Sequence, residues 1–148
     1  MPINGGLFSS AKDDWETPQD FFDKWNERFH FTLDACANEK NHKCVRYFSK
    51  EENGLEKDWS GEVVWCNPPY GQTIGQWVRK CWFESQEKNT TVVALLPART
   101  DTKWFHDYVY YDALVYFVRG RLKFGNSKIG APFPSMVCIW YGGMRDGT

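Results

Sequence analysis

Apolar residues in this chain switch between two spacings, and each switch marks an element. Phe21, Phe22, Trp25 and Phe29 recur at helical spacing and predict an amphipathic helix. Its start is written just ahead. Thr17 suits the N-cap, Pro18 the first helical position, and Asp20 puts negative charge in the first turn. Phe31–Ala35 then reads as a short strand, and Asn38–Asn53 as an irregular polar stretch ending in an Asn53-Gly54 turn. Glu62–Cys66 is β-branched and aromatic, so a buried strand. It stops at Asn67-Pro68-Pro69-Tyr70-Gly71, which can be neither helix nor strand. Ile74, Trp77, Val78, Cys81 and Trp82 share one face of a predicted helix over Ile74–Glu87.

Thr90–Leu96 is the clearest strand and Pro97 closes it. Asp101 is placed to cap a helix over Thr102–Tyr110. Ala113–Val118 and Ser135–Tyr141 read as strands on either side of a Gly-punctuated basic segment, Arg119–Gly130. Strands alternating with helices predict an α/β domain. Its sheet should be mainly parallel, with hairpin-like, antiparallel pairing at the C-terminal end. Met1–Lys12 reads as a loose lead-in, and residues 13–148 as one domain. In such sheets ligands sit at the carboxyl ends of the strands, so Asp34 and the Asn67–Tyr70 turn should share a rim.

Composition narrows the class. Hydrophobic residues make up 42% of the 148 positions and charged residues 25%, which excludes disorder as the main description. No apolar run approaches the length that spans a bilayer, and Met1–Ser10 lacks the pattern of a secretory signal. Five cysteines without an export signal point to reduced thiols in a cytoplasm. Aromatics reach 18%, mostly as core in a domain this small. The net charge of −1 hides an asymmetry. Up to Leu96 there are 11 Lys and Arg against 15 Asp and Glu; beyond it there are 7 against 4. A polyanion would therefore meet the C-terminal third, where Arg119, Arg121, Lys123 and Lys128 cluster. Arg99, just past a strand, falls on the expected functional rim. Cys36, His42, Cys44 and Cys66 invite a zinc reading. Their spacing lacks paired Cys-x2-Cys units, so no metal is expected.

The sharpest chemistry lies in Asn67-Pro68-Pro69-Tyr70. Two prolines stiffen the turn, so the Asn67 side-chain oxygen and the Pro68 carbonyl can aim at one place. Two fixed acceptors suit a planar NH2 group whose lone pair must be drawn out of conjugation. Tyr70 offers a flat face to a base that has left its duplex. An amine held this way beside a methyl donor needs orientation and electrostatics more than acid–base chemistry.

Asn-Pro-Pro-Tyr resembles motif IV of S-adenosylmethionine-dependent amino-methyltransferases. The surrounding pattern is narrower: Asp14-Trp15-Glu16-Thr17-Pro18, Leu33-Asp34-Ala35-Cys36-Ala37, Asn41 to Cys44, Tyr47-Phe48 and Gly54-Leu55-Glu56-Lys57-Asp58-Trp59. It continues through Leu95-Leu96-Pro97-Ala98-Arg99-Thr100-Asp101-Thr102, Gly120-Arg121-Leu122-Lys123-Phe124 and Pro132-Phe133-Pro134-Ser135. Together these resemble the phage-type DNA N6-adenine methyltransferase (Dam) family over about Asp13 to Tyr141.

That resemblance implies a compact Rossmann-like fold and methylation of adenine N6 in double-stranded DNA after base flipping. Asn67, Pro68, Pro69 and Tyr70 would form the catalytic turn. Trp15, Thr17 and Pro18 would touch the methionine end of S-adenosylmethionine, Asp34 and Ala35 would form motif I, and Asp58 with Trp59 would contact its adenine. Arg99, Arg119, Arg121, Lys123 and Lys128 would bind DNA, with Phe124 beside the flipped base. Motif I here has no Gly, and only 33 residues separate Asp34 from Asn67, so the stretch between should be abbreviated. The resemblance also implies a phage or prophage origin, action in a bacterial cytoplasm and a role in restriction-modification or gene control. A homodimer would help so small an enzyme cover its DNA. Two other readings use the same residues. One is an amino-methyltransferase for another planar NH2, in an RNA base or a protein glutamine. The other is a catalytically idle nucleic-acid or cofactor-binding module.

Overall fold

The computed structural model describes residues 14–125 and 127–143. The expected lead-in, Met1–Lys12, lies outside them. The order is α1 (Gln19–Phe29), β1 (Leu33–Asp34), a 310 turn (Gly54–Glu56), β2 (Val63–Cys66), α2 (Ile74–Glu87), β3 (Thr91–Pro97), a π-helical segment (Phe105–Val109), β4 (Leu114–Phe117) and β5 (Ser135–Trp140). The strands form one mixed sheet in the order β1-β2-β3-β5-β4. β1, β2 and β3 are parallel. β5 runs against both β3 and β4, so β4 points the same way as the first three. The expected sheet therefore forms, with the antiparallel strand inserted between β3 and β4 rather than added at an edge.

Side-chain alternation divides the two faces. Trp65 meets Phe22 and Phe31, with ring centroids 5.2 and 5.4 Å away, so α1 lies on its side of the sheet. Its neighbour Cys66 points the other way and reaches Cys81 of α2. Trp59, Trp65, Trp140, Phe22 and Leu95 are among the largest fully buried side chains, so the high aromatic content builds core first.

Four local expectations change. Thr17 does not cap α1; Pro18 occupies the cap position with extended backbone. The Thr17 hydroxyl is engaged elsewhere, as described below. β1 is only two residues long. Its partners there are Val64 and Trp65 of β2, and an isolated bridge to Tyr47 flanks Asp34 on the other side. The helix expected over Thr102–Tyr110 becomes π-helical, with the Tyr110 amide donating to the Phe105 carbonyl at 2.9 Å. Thr102, not Asp101, takes the Phe105 amide at this helix start. Between Ala35 and Glu62 the backbone forms a single 310 turn and isolated bridges. Among the described residues, no helix is long and apolar enough to cross a membrane.

Candidate active site

The parallel pairing of β1, β2 and β3 brings their carboxyl ends to one rim. A cavity of about 770 Å³ opens there, within the size range of small-molecule and cofactor sites. Trp15, Thr17, Asp34, Ala35, Asn67 and Pro69 all line it, together with Asp14 and Glu16. Residues far apart in sequence thus converge as expected.

The carboxamide of Asn67 is the best-defined group. Its Nδ2 donates to Thr17 Oγ1 at 2.9 Å and to the Trp15 carbonyl. Those two bonds fix the orientation of the amide, so Oδ1 must be the acceptor that remains. Tyr70 holds that acceptor. Its hydroxyl oxygen lies 2.7 Å from Asn67 Oδ1 and 2.8 Å from the Leu95 carbonyl. One proton cannot satisfy both acceptors at once. Burial holds the phenol well above its ordinary range, so Tyr70 stays neutral.

Tyr70 is not the open stacking platform the sequence suggests. It is 4% exposed, and Phe124 and Phe133 cover its ring edge-on, with centroids at 6.3 and 5.6 Å. Trp15 packs on both phenylalanines at 5.5 and 5.0 Å. Phe124 is accordingly buried in this cluster. The Gly125 amide, at a φ of +60°, donates to the Glu16 carbonyl at 2.7 Å and ties the segment to the basic loop. That left-handed backbone favours glycine.

Asp34 is buried at the end of β1. It accepts from the Lys43 amide at 2.8 Å and the Cys36 amide at 3.4 Å, which folds the following loop back on the strand. Burial pushes its carboxyl up to about 6, against those hydrogen bonds. Cys36 lines the same cavity, and burial pushes its thiol up to about 12, so it is no nucleophile at neutral pH.

Asp58 and Trp59 both stand apart from the cavity lining. Asp58 is exposed, outside the cavity lining, and accepts from the amide and hydroxyl of Ser60. Those bonds, the hydroxyl's first, lower its pKa. Trp59 is wholly buried, and its indole donates to the Gly54 carbonyl at 3.0 Å. It shapes the cavity wall from behind. Buried Glu84 on α2 accepts from the Trp59 amide at 3.0 Å and the Lys80 ammonium at 2.8 Å. Its sequence signal was a carboxylate on the apolar face of α2, three residues after Cys81.

Asn53, Gly54 and Leu55 line the cavity instead, at the turn and the start of the motif whose far end is Asp58-Trp59. A Cβ on Gly54 would lie 2.3 Å from the Ala35 carbonyl. The absent side chain of Gly54 thus lets a distant loop come close to the backbone just after β1. Asn38, Asn41, Lys43, Thr73, Gln76 and Trp77 complete much of the lining; Asn41 and Lys43 fall in the family pattern quoted above, but the sequence assigns no site role to any of the six.

Arg99 donates to the Tyr70 carbonyl at 3.2 Å, so it stands against the turn while remaining exposed. Arg119, Arg121, Lys123 and Lys128 are exposed, and none forms an ion pair with an acid among the described residues. Arg121 also donates to the Ala131 carbonyl at 3.2 Å, closing the loop's neck. Of the cysteines weighed for zinc, Cys66 faces Cys81. His42 stacks on Tyr47 at 4.0 Å with Nδ1 at 2.7 Å from the Cys44 carbonyl.

Residues 6–139 match the family model described as DNA N-6-adenine-methyltransferase (Dam). The DNA N-6-adenine-methyltransferase of Haemophilus phage HP1 is 38% identical over 134 residues, covering 88% of this chain and 76% of that protein. The enzyme of the same name from Escherichia phage T1 is 36% identical over 98 residues, covering 65% of this chain and 40% of its own.

Proposed function

The chain belongs to the DNA N-6-adenine-methyltransferase (Dam) family, and on that premise we propose that it methylates adenine N6 in double-stranded DNA at the Asn67 turn. The observation that carries this reading is the oriented carboxamide of Asn67. Two donor bonds commit its NH2, leaving Oδ1 as an acceptor at the edge of a cofactor-sized cavity.

S-adenosylmethionine fits the cavity by volume and by its acids, and when bound it supplies the electrophilic methyl group. Asp34, with Asp14 and Glu16, gives the lining carboxylates for a cationic ligand. Thr17 and Trp15 serve twice, lining the cavity and holding Asn67. Asn67 Oδ1 and the Pro68 carbonyl accept the two N–H bonds of the target amine. Tyr70 makes room for this by giving its proton to the Leu95 carbonyl. The extruded adenine reaches the Tyr70 ring when the Phe124 loop, tied to Glu16 through Gly125, swings away. Arg99 and the exposed cations of the basic loop bind phosphates on either side.

We read residues 13–148 as one compact Rossmann-like domain, a reading favoured by the parallel β1-β2-β3 pairing, and infer action in the cytoplasm of a bacterial host from the phage origin of its relatives. The test is a transfer assay with labelled S-adenosylmethionine and unmethylated DNA, digested to nucleosides. Label is expected in N6-methyladenine. Label absent from DNA, with cofactor still bound in a separate titration, would overturn the assignment of the acceptor.

A further inference from the structure

Among the described residues, five of the seven large exposed apolar side chains lie on or just ahead of one edge strand; Val45 and Ile129 stand apart in loops. β4 is the outermost strand, and Leu114, Tyr116 and Phe117 on it are 51%, 42% and 64% exposed. Tyr111, just ahead of the strand, is 87% exposed and packs on the half-exposed Tyr110. The strand contains no charge and no proline, the usual guards of an open edge.

Its backbone is equally open. The Val118 amide donates to the Ser135 carbonyl at 2.9 Å, which sets the phase of the ladder. Alternation then turns the main-chain groups of Leu114 and Tyr116 toward β5, and those of Val115 and Phe117 outward. At about 200 Å² for a large side chain, the patch leaves on the order of 500 Å² uncovered. That is a large part of the roughly 800 Å² each partner contributes to a stable interface. Symmetry selects the partner's direction: a two-fold axis across the edge makes the two strands antiparallel and gives both the same outward groups.

We propose that β4 is a self-pairing edge, through which two copies of this chain join antiparallel about a two-fold axis at Tyr116. Val115 of each copy then stands opposite Phe117 of the other, and each such pair exchanges two main-chain hydrogen bonds. The five-stranded sheet becomes continuous across the pair, and the aromatic patch leaves water. This surface owes nothing to the methyl-transfer reading and stands without it.

The test is sedimentation of the full chain across micromolar concentrations, with thermal melts to confirm that each variant is folded. The wild type is expected to move from 17.3 kDa toward twice that mass as concentration rises. Phe117→Lys should stay monomeric. Val115→Pro, which removes an outward main-chain donor from the seam, should also stay monomeric. A wild type that stays at 17.3 kDa would overturn the proposal, and so would a Val115→Pro variant that still pairs. Phe117→Lys that weakens DNA binding without changing the mass would assign the patch to nucleic acid instead.

Discussion

Asp34 at the end of β1 and Asp58 ahead of β2 carry the same carboxylate in opposite surroundings. Asp34 is buried, sits in the cavity wall and is pushed up to about 6. Asp58 is exposed, lies outside the cavity, and is held below its usual range by Ser60. The contrast extends to the regions they belong to. On the floor of the site, Asp34, Asn67 and Tyr70 have partners at named distances. On the rim the loop cations face water, and Asp58 faces water beside Lys88, ahead of β2 and away from the site. A buried charge is costly and therefore responsive to whatever cation arrives; a solvated one is already satisfied. Proximity to a motif does not decide which of the two a residue is.

The largest effect should come from the floor. Asn67→Ala should keep cofactor affinity and lose on the order of 10²–10³ in turnover, read by single-turnover transfer. Near wild-type turnover would break the contrast at its strongest point. Next is Asp34. Its folded-state pKa is raised, so its contribution to stability is present below about pH 4 and lost as pH rises through about 6, roughly 3 kcal/mol in all. A cationic ligand prefers the ionised form, so the signs oppose. S-adenosylmethionine should bind about tenfold more weakly at pH 5 than at pH 7, and Asp34→Asn should abolish that dependence in calorimetry. On the rim, Lys123→Ala should weaken DNA binding modestly and reduce the slope of log affinity against log salt by about 0.9, the amount for one phosphate no longer neutralised. A wild-type slope would remove Lys123 from the interface. Smallest is Asp58→Asn, expected to leave cofactor affinity within about twofold, since exposed groups away from such features change little. A tenfold loss there would return Asp58 to the cofactor.

Much of the fold was legible because its apolar runs have sharp borders. Thr90–Leu96 ends at Pro97 and Glu62–Cys66 at Asn67-Pro68, so strand and turn could be read directly. Asn67 was legible for the same reason: two prolines leave the chain few other conformations. What stayed hidden depends on partners distant in sequence. The short β1 takes its ladder from β2 and a bridge at Tyr47. The Gly54 approach to Ala35 exists only once the intervening loop has folded back. Tyr70 was read correctly as part of the turn, but nothing in its neighbourhood announced that Phe124 and Phe133 would cover it. Likewise Ala113–Val118 looked like any strand, since the pattern of a strand does not say what lies beyond its edge.

The order of the strands carries a consequence for synthesis. β5 sits between β3 and β4, although it follows both in the chain. While the ribosome is still adding residues, β3 offers one bare edge and β4 has no neighbour at all. The sheet can close only after residues 135–140 have left the exit tunnel, at a synthesis rate of about 5–20 residues per second. A chain halted even at the basic loop would expose its most apolar strand to whatever was nearby. The core of this domain therefore waits on the last strand of its sheet.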